Sequence, residues 1–202
     1  MTGAGEVIVL CGNGCGAGAM KVVRGMYEAQ WTAEYLRRNP NEVDDYLDFL
    51  KIMLQRELDW SMKNDPVRAG RVSPETRQKI ENDYQQVKGR FTDRKGREQR
   101  LWTNKSIREI AKSVGREREY ERPYAVACAI HHLNFEGLLA HHAQQEGELQ
   151  FEAPPSTRWI RKALVAACKN LLRILDTLNE CCALGYDAQL ENARHRFSLW
   201  RK

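Results

Sequence analysis

The chain has 202 residues, of which 42% are hydrophobic and 29% are charged, and its formal net charge at pH 7 is +5. This composition is typical of a globular protein with one domain, or at most two small ones. The mild positive charge permits an anionic partner but does not require one, because nucleic-acid-binding proteins usually concentrate basic residues on one face.

The sequence predicts neither a membrane anchor nor a disulfide framework. No apolar run approaches the roughly 20 residues that span a bilayer, and the lack of Lys or Arg before Lys21 argues against a signal peptide. The six cysteines form no C-x-x-C pair, and adjacent Cys181 and Cys182 have poor geometry for a disulfide. We therefore expect reduced thiols and a cytoplasmic location.

The N-terminal stretch VIVLCGNGCGAGAMKVVRGMYEA has the look of a nucleotide-binding loop. Gly12, Gly14 and Ala17 match G-x-G-x-x-[GA]. That fingerprint needs a second parallel strand, whereas residues 30–60 have a helical pattern. We therefore predict that the glycines form a turn between helices. Residues 6–11 would be an extended lead-in or the end of a truncated first helix.

Two amphipathic helices are predicted next. The first covers residues 19–37, and its helical stripe consists of Met20, Arg24, Tyr27, Glu28, Trp31 and Tyr35. Asn39-Pro40 ends it and starts a helix that runs to about residue 62. The predicted buried face of this second helix consists of Val43, Leu47, Leu50, Leu54 and Leu58.

The middle of the chain alternates loops with short helices. We predict polar loops over residues 63–72 and 88–100. Between them, Ser73-Pro74-Glu75 is a typical helix start. The segment SIREIAKSVG predicts a short amphipathic helix that Gly115 ends, with a core-facing side of Ile107, Ile110, Ala111 and Val114.

The C-terminal part predicts three more helices. They cover residues 123–143, residues 157–185 after a Ser156 cap, and residues 187–200, with a short extended segment near 147–152. The fold class is therefore all-α: one helical domain over residues 1–202, built as a bundle of seven or eight helices.

SIREIAKSVG also resembles the first helix of a DNA-binding helix-turn-helix. A recognition helix should follow Gly115 within a few residues, but Pro123 lies in that position. DNA binding is therefore kept as a second alternative function.

Two groups of polar residues are candidates for chemistry. Arg24 and Glu28 lie one helical turn apart, so they form either an orienting salt bridge or an anion site in which Glu28 fixes Arg24. His131 is a candidate acid/base group, since imidazole titrates near neutrality. His132 and Glu136 have the spacing of two metal ligands, but no further ligand can be placed, so neither a metal nor a cofactor is expected.

The order of several blocks resembles a known family. LCGNGCGAGAMKVVRGMYEA carries R-x3-E, WTNKSIREIA follows a charged insert, and YERPYAVACAIHHLNFEGL carries Y-x3-Y and H-x5-G-L. A GELQF segment and a long helix complete the order. Over residues 7–185 this is similar to a family of bacterial all-helical proteins catalogued as a domain of unknown function, which is itself similar to HEPN-type proteins.

This resemblance implies a set of functional residues. It implies His131, Arg24 and Glu28 as catalytic residues, and ligand-binding roles for Arg108, Tyr120, Tyr124 and Trp102. Two departures count against catalysis. Ala127 stands where the family has serine, and the R-x4–6-H motif of HEPN ribonucleases is absent, because Arg122 and His131 form R-x8-H.

We therefore predict a binding or interaction module whose Arg24, Glu28 and His131 cluster holds RNA or another anionic, phosphate-bearing ligand. The first alternative is a metal-independent HEPN-like endoribonuclease. In it, His131 would be the acid/base, Arg24 would stabilise the phosphate and Glu28 would orient Arg24. A homodimer in which the cluster is only a buried network is also consistent with the sequence.

Overall fold

The computed structural model describes residues 2–132, 142–145, 148–151 and 157–201. Within these ranges, eight helices have seven or more residues, which confirms the all-α class. The chain divides into two compact units, Met1–Arg38 with Ile107–Lys202 and, separately, Asn39–Ser106. The single domain over residues 1–202 stays a prediction.

The first unit is built around a long central helix. Its helices are α1 (Thr2–Gly12), α2 (Gly16–Arg38), α6 (Ile107–Ser113), α7 (Glu117–Glu119), α8 (Ala125–His132), α9 (Ile160–Cys182) and α10 (Asp187–Arg201). Helix α2 packs against α1, α6, α8 and α9. Its predicted apolar stripe is confirmed, because the large side chains at Met20, Tyr27, Trp31 and Tyr35 are all buried.

The glycine-rich segment joins two helices, as predicted. Gly14 has a φ of 71°, a left-handed conformation that glycine adopts without steric cost. Gly16, the first residue of α2, lies against the start of α9. A Cβ at this position would be 2.8 Å from the Ile160 nitrogen and 3.0 Å from the Trp159 carbonyl carbon. The absence of a side chain at Gly16 therefore lets two backbones meet.

The prediction that a helix begins at residue 123 is wrong. Helical structure already begins with α7 and continues through a π-helical turn, Tyr120–Tyr124, into α8. Pro123 lies inside this turn, where the wider hydrogen-bond spacing tolerates a residue that has no N–H. The predicted continuation to residue 143 is wrong at its end, because His142 and Ala143 lie in a β-strand, and residues 133–141 are outside the described residues.

The ends of the other predicted elements also shift. Helix α9 ends at Cys182 because Ala183 adopts a left-handed φ of 48°, three residues before the predicted end. Ser156, the predicted cap, is outside the described residues. Strands β1 (His142–Gln145) and β2 (Glu148–Phe151) form an antiparallel pair, so β2 lies within the expected extended segment.

The second unit contains α3 (Val43–Asn64), α4 (Pro66–Gly70) and α5 (Pro74–Val87). The Ser73 cap is confirmed, since its Oγ accepts from the Thr76 N–H at 3.2 Å. The predicted loop over residues 63–72 is wrong where α4 forms, because the Asp65 carboxylate caps that helix from its N-terminus. The predicted loop over residues 88–100 starts with a 3-10 turn, Lys88–Phe91.

The predicted buried face of α3 is largely wrong. Leu47, Leu50 and Leu54 are between 45% and 61% exposed, although Leu58 is buried as expected. The buried residues include Phe49 and Ile52 instead, and the core they form with Val87 and Phe91 also contacts Tyr84 and Trp102. Helix α3 is apolar on two sides, and its contact with α5 and the following turn selects the phenylalanine side.

In the parts of the chain that the structure describes, no helix is both long and apolar enough to cross a membrane.

The contact at Gly16 predicts an asymmetric response to alanine substitution. Gly16→Ala places a Cβ against backbone atoms that cannot rotate away, so we expect unfolding to become about 1–3 kcal/mol easier. Gly25→Ala is the matched control, because Gly25 lies in the same helix with open space around it. That change should stabilise the protein by about 0.5–1 kcal/mol. Urea denaturation measures both, and equal effects would contradict the assigned contact.

Candidate functional site

The candidate site lies between α2 and α8, where a charged pair meets a tyrosine hydroxyl. Arg24 Nη2 is 3.1 Å from Glu28 Oε1, one helical turn away. Tyr124 donates a hydrogen bond of 2.6 Å to the same Oε1 atom. Burial lowers the pKa of Arg24, but Tyr124, Glu28 and Cys128 outweigh it and raise the pKa overall. The guanidinium is therefore a fixed cation that keeps about a quarter of its side chain exposed.

A cluster of aromatic rings packs around Tyr124, the residue that bonds to the Arg24–Glu28 pair. The ring centroids of Trp31 and Tyr124 are 5.0 Å apart, and Tyr120 stacks on Tyr124 at 5.2 Å. Arg108 of α6 lies over the Tyr120 ring with its guanidinium carbon 6.0 Å from the centroid. Burial raises the pKa of Tyr124, and the adjacent Glu28 carboxylate raises it further, so its hydroxyl remains a hydrogen-bond donor across the neutral pH range.

His131 lies near the described end of α8 and is exposed. Desolvation lowers its pKa, and the positive charges of Arg24, His132 and Lys21 lower it further, against a smaller opposite effect of Glu28. The His131 and His132 rings are 4.9 Å apart. At pH 7 the His131 imidazole is therefore mostly neutral, and it can accept a proton beside a fixed guanidinium.

The residues chosen from the sequence are thus only partly brought together. Six of them belong to the first unit and lie in or around this cluster, namely Arg24, Glu28, Arg108, Tyr120, Tyr124 and His131. Trp102 belongs to the second unit, where its ring meets Tyr46 edge to face at 5.3 Å and packs on the core of that unit. The described contacts give Trp102 a packing role.

Sequence reasoning missed a buried carboxylate further along α2. Glu34 is 7% exposed, and Arg38 binds its Oε1 at 2.5 Å. Its Oε2 accepts from Gln30 Nε2 at 2.9 Å and lies 3.3 Å from Arg116 Nη2. The spacing of Gln30, Glu34 and Arg38 was a detectable signal for part of this network. The Arg116 contact spans 82 residues and has no local signature.

A groove of about 1080 Å³ lies on another side of α8, between α8 and α9. Its floor is apolar, with Met20 and Ile130 among its residues, and cations such as Arg122 and Lys162 stand along it. Neither Arg24 nor His131 lines this groove. The two surfaces of α8 are therefore chemically separate, and substitutions on one serve as controls for the other.

Metal chemistry finds no support in the described ranges. Among residues 2–132, 142–145, 148–151 and 157–201, no group of three or more His, Cys, Asp or Glu side chains is placed to hold a metal ion. His132 is described, but its candidate partner Glu136 is not.

The fold and the cluster together define an all-helical protein with a fixed ion pair and an exposed histidine between two core helices. Comparison with known proteins gives a match to a family of unknown function (DUF5677) over residues 1–149, and the chain belongs to this family. The matched region includes both Arg24 and His131. No curated protein and no solved structure matches the chain.

Burial of Tyr27 predicts a loss of stability at alkaline pH. Burial and the charge of Glu119 raise the pKa of Tyr27 to about 12, against smaller effects of Arg173 and Asn170. Because the unfolded tyrosine titrates near 10, the stabilising contribution is complete below pH 10 and is lost as the pH rises towards 12. We expect Tyr27→Phe to remove about 2–3 kcal/mol from this alkaline decrease in the free energy of unfolding.

Urea unfolding between pH 9 and 11.5 measures this decrease. Tyr186→Phe is the control, because the Tyr186 side chain is 54% exposed. An alkaline decrease in Tyr27→Phe as large as in the unsubstituted protein would contradict the assignment.

Proposed function

We propose that this protein binds a phosphate-bearing ligand, with RNA the class to test first, on the side of the α2–α8 cluster where His131 is exposed. One observation carries the proposal: Arg24, which Glu28 fixes at 3.1 Å, keeps about a quarter of its side chain exposed. His131 is exposed as well, and it is close enough to Arg24 and Lys21 for their charges to lower the pKa of its imidazole. Such a concentration of cationic groups favours an anion.

The internal contacts of the cluster support a division of roles. Glu28 holds Arg24, and Tyr124 holds Glu28 through the same oxygen, so the guanidinium loses little conformational entropy when a ligand binds. Lys21 lies one turn before Arg24 on α2, while His131 comes from α8. A phosphate between the two helices would therefore receive donors from both.

A second candidate function is metal-independent RNA cleavage, which the lowered pKa of exposed His131 favours. Neutral His131 would take the proton of a ribose 2′-hydroxyl as that oxygen attacks the adjacent phosphorus. The His131 imidazolium formed in this way would give the proton to the departing 5′-oxygen, so that the products are a 2′,3′-cyclic phosphate and a 5′-hydroxyl. Arg24 would stabilise the charge on the phosphoryl oxygens.

DNA reading by a helix-turn-helix is less favoured. The helical segment after Gly115 begins with Glu117 and Glu119, and Glu119 is engaged by Lys169 at 2.8 Å and by Arg173 at 2.6 Å. Carboxylates at the start of a recognition helix would repel the phosphates of the DNA backbone, whereas DNA-binding proteins contact these phosphates with cationic side chains.

Binding of a fluorescein-labelled single-stranded RNA, followed by anisotropy at low salt, tests the proposal. We expect Arg24→Ala to weaken binding about tenfold, the equivalent of about 1.4 kcal/mol for one charge-assisted contact. Arg122→Ala is the control, because Arg122 lies in the groove on the other side of α8. Affinity should rise as the pH falls from 7.5 to 5.5, since His131 becomes an imidazolium, and His131→Gln should abolish that rise.

The same samples, incubated in EDTA and run on a gel, separate binding from cleavage. Cleavage that disappears in both Arg24→Ala and His131→Gln supports the ribonuclease. Intact RNA with Arg24-dependent binding supports the binding module. If neither RNA nor pyrophosphate binds the unsubstituted protein at low salt, the proposed function is wrong.

A further inference from the structure

The outward side of α3 carries a largely apolar surface. We define the α3 outer stripe as Tyr46, Leu47, Leu50, Met53, Leu54 and Trp60, which are all between 43% and 61% exposed. Their spacing places them along one side of the helix for four turns. A single exposed leucine needs no explanation, but a stripe of six large apolar side chains is typical of an interaction surface.

The opposite side of the same helix forms the hydrophobic core of the second unit. Phe49 and Ile52 form its core with Val87 and Phe91. Arg56 binds Glu98 at 2.5 Å, so the inward polar residues are engaged as well. The outer stripe is therefore additional to the surface that folds this unit.

The size of the stripe fits a dimer of two identical chains. A large side chain covers about 150–250 Å² when fully buried, so six that are about half exposed present on the order of 600 Å². A stable interface needs about 800 Å² from each partner. The stripe alone therefore reaches about three quarters of that area.

The order of residues along the stripe is close to symmetric. Aromatic rings stand at both ends, at Tyr46 and Trp60, and aliphatic residues fill the middle around Met53. A two-fold axis near Met53 brings Tyr46 beside the partner's Trp60 and Leu50 beside the partner's Leu54. Two antiparallel copies of α3 therefore pair an aromatic ring with an aromatic ring and a leucine with a leucine. Each pair occurs twice, as a two-fold interface requires.

The charges at the ends of α3 match the same arrangement. Asp44 lies in the first turn and Lys63 in the last. Antiparallel packing brings the acidic end of each helix to the basic end of the other and also opposes the helix dipoles. Glu57 lies within the stripe, between Met53 and Trp60, and its charge is paired with Arg68 at 2.8 Å.

From these observations we infer that the α3 outer stripe binds the same stripe of a second copy of this chain, with the two helices antiparallel. The second copy is favoured over an unrelated protein because the stripe complements itself in residue order and in the charges at its ends. The inference is independent of the proposed ligand site, which lies in the other unit.

Sedimentation velocity over a range of protein concentrations tests this inference. We expect the unsubstituted chain to sediment as a dimer at micromolar concentration. Leu50→Asp with Leu54→Asp should weaken the dimer by about a hundredfold or more, because four unpaired carboxylates would enter an apolar contact. Val67→Asp is the control, since Val67 is exposed in the same unit but lies outside α3.

A charge-reversed pair keeps the test valid if one variant folds poorly. Leu50→Lys with Leu54→Lys should also be monomeric alone, and an equimolar mixture of the lysine and aspartate variants should form a heterodimer. A monomeric unsubstituted chain, a dimer that the aspartate variant retains, or a mixture that stays monomeric would each overturn the inference.

Discussion

The close backbone contact between α2 and α9 at Gly16 is the constraint on which the first unit depends. It fixes the start of α2 against α9, and the rest of α2 then runs through the centre of the unit with its aromatic side chains buried. A helix so enclosed brings its polar groups inside with it. Arg24 and Glu34 are accordingly met by partners from distant segments, Tyr124 and Arg116. The polar networks are thus consequences of the central position of α2.

The two long N-terminal helices show what periodicity can and cannot predict. Helix α2 has one apolar stripe, so the buried side follows from the spacing of Met20, Tyr27 and Trp31. Helix α3 has two apolar stripes, and the leucine-rich stripe is the more conspicuous of the two in the sequence. Burial there is decided by Val87 and Phe91, which are more than thirty residues away and match Phe49 and Ile52. Periodicity measures how apolar a face is, whereas burial also depends on what lies opposite.

The candidate site divides in the same way. The pairing of Arg24 with Glu28 was predictable, since an i,i+4 spacing brings the side chains together on any helix. Tyr124 and His131 were indicated by family resemblance, because only the packing of α8 on α2 places them there. The contact of Glu34 with Arg116 had no local signal. For Trp102 the structure adds a role that the polar sequence around it does not indicate, since its side chain packs on the core of the second unit.

The π-helical turn at Tyr120–Tyr124 allows one stretch of helix to serve two neighbours. Just before the turn, Glu119 reaches Lys169 and Arg173 on α9, whereas Tyr124, the last residue of the turn, reaches Glu28 on α2. A π-turn holds one residue more than a regular turn and rotates everything beyond it by about 100° around the helix axis. Deleting one residue here would restore regular winding and change the angle between Glu119 and Tyr124 around the helix axis, so that this segment could keep only one of the two contacts. The extra residue therefore sets the rotation of the helix so that Glu119 faces α9 while Tyr124 faces α2.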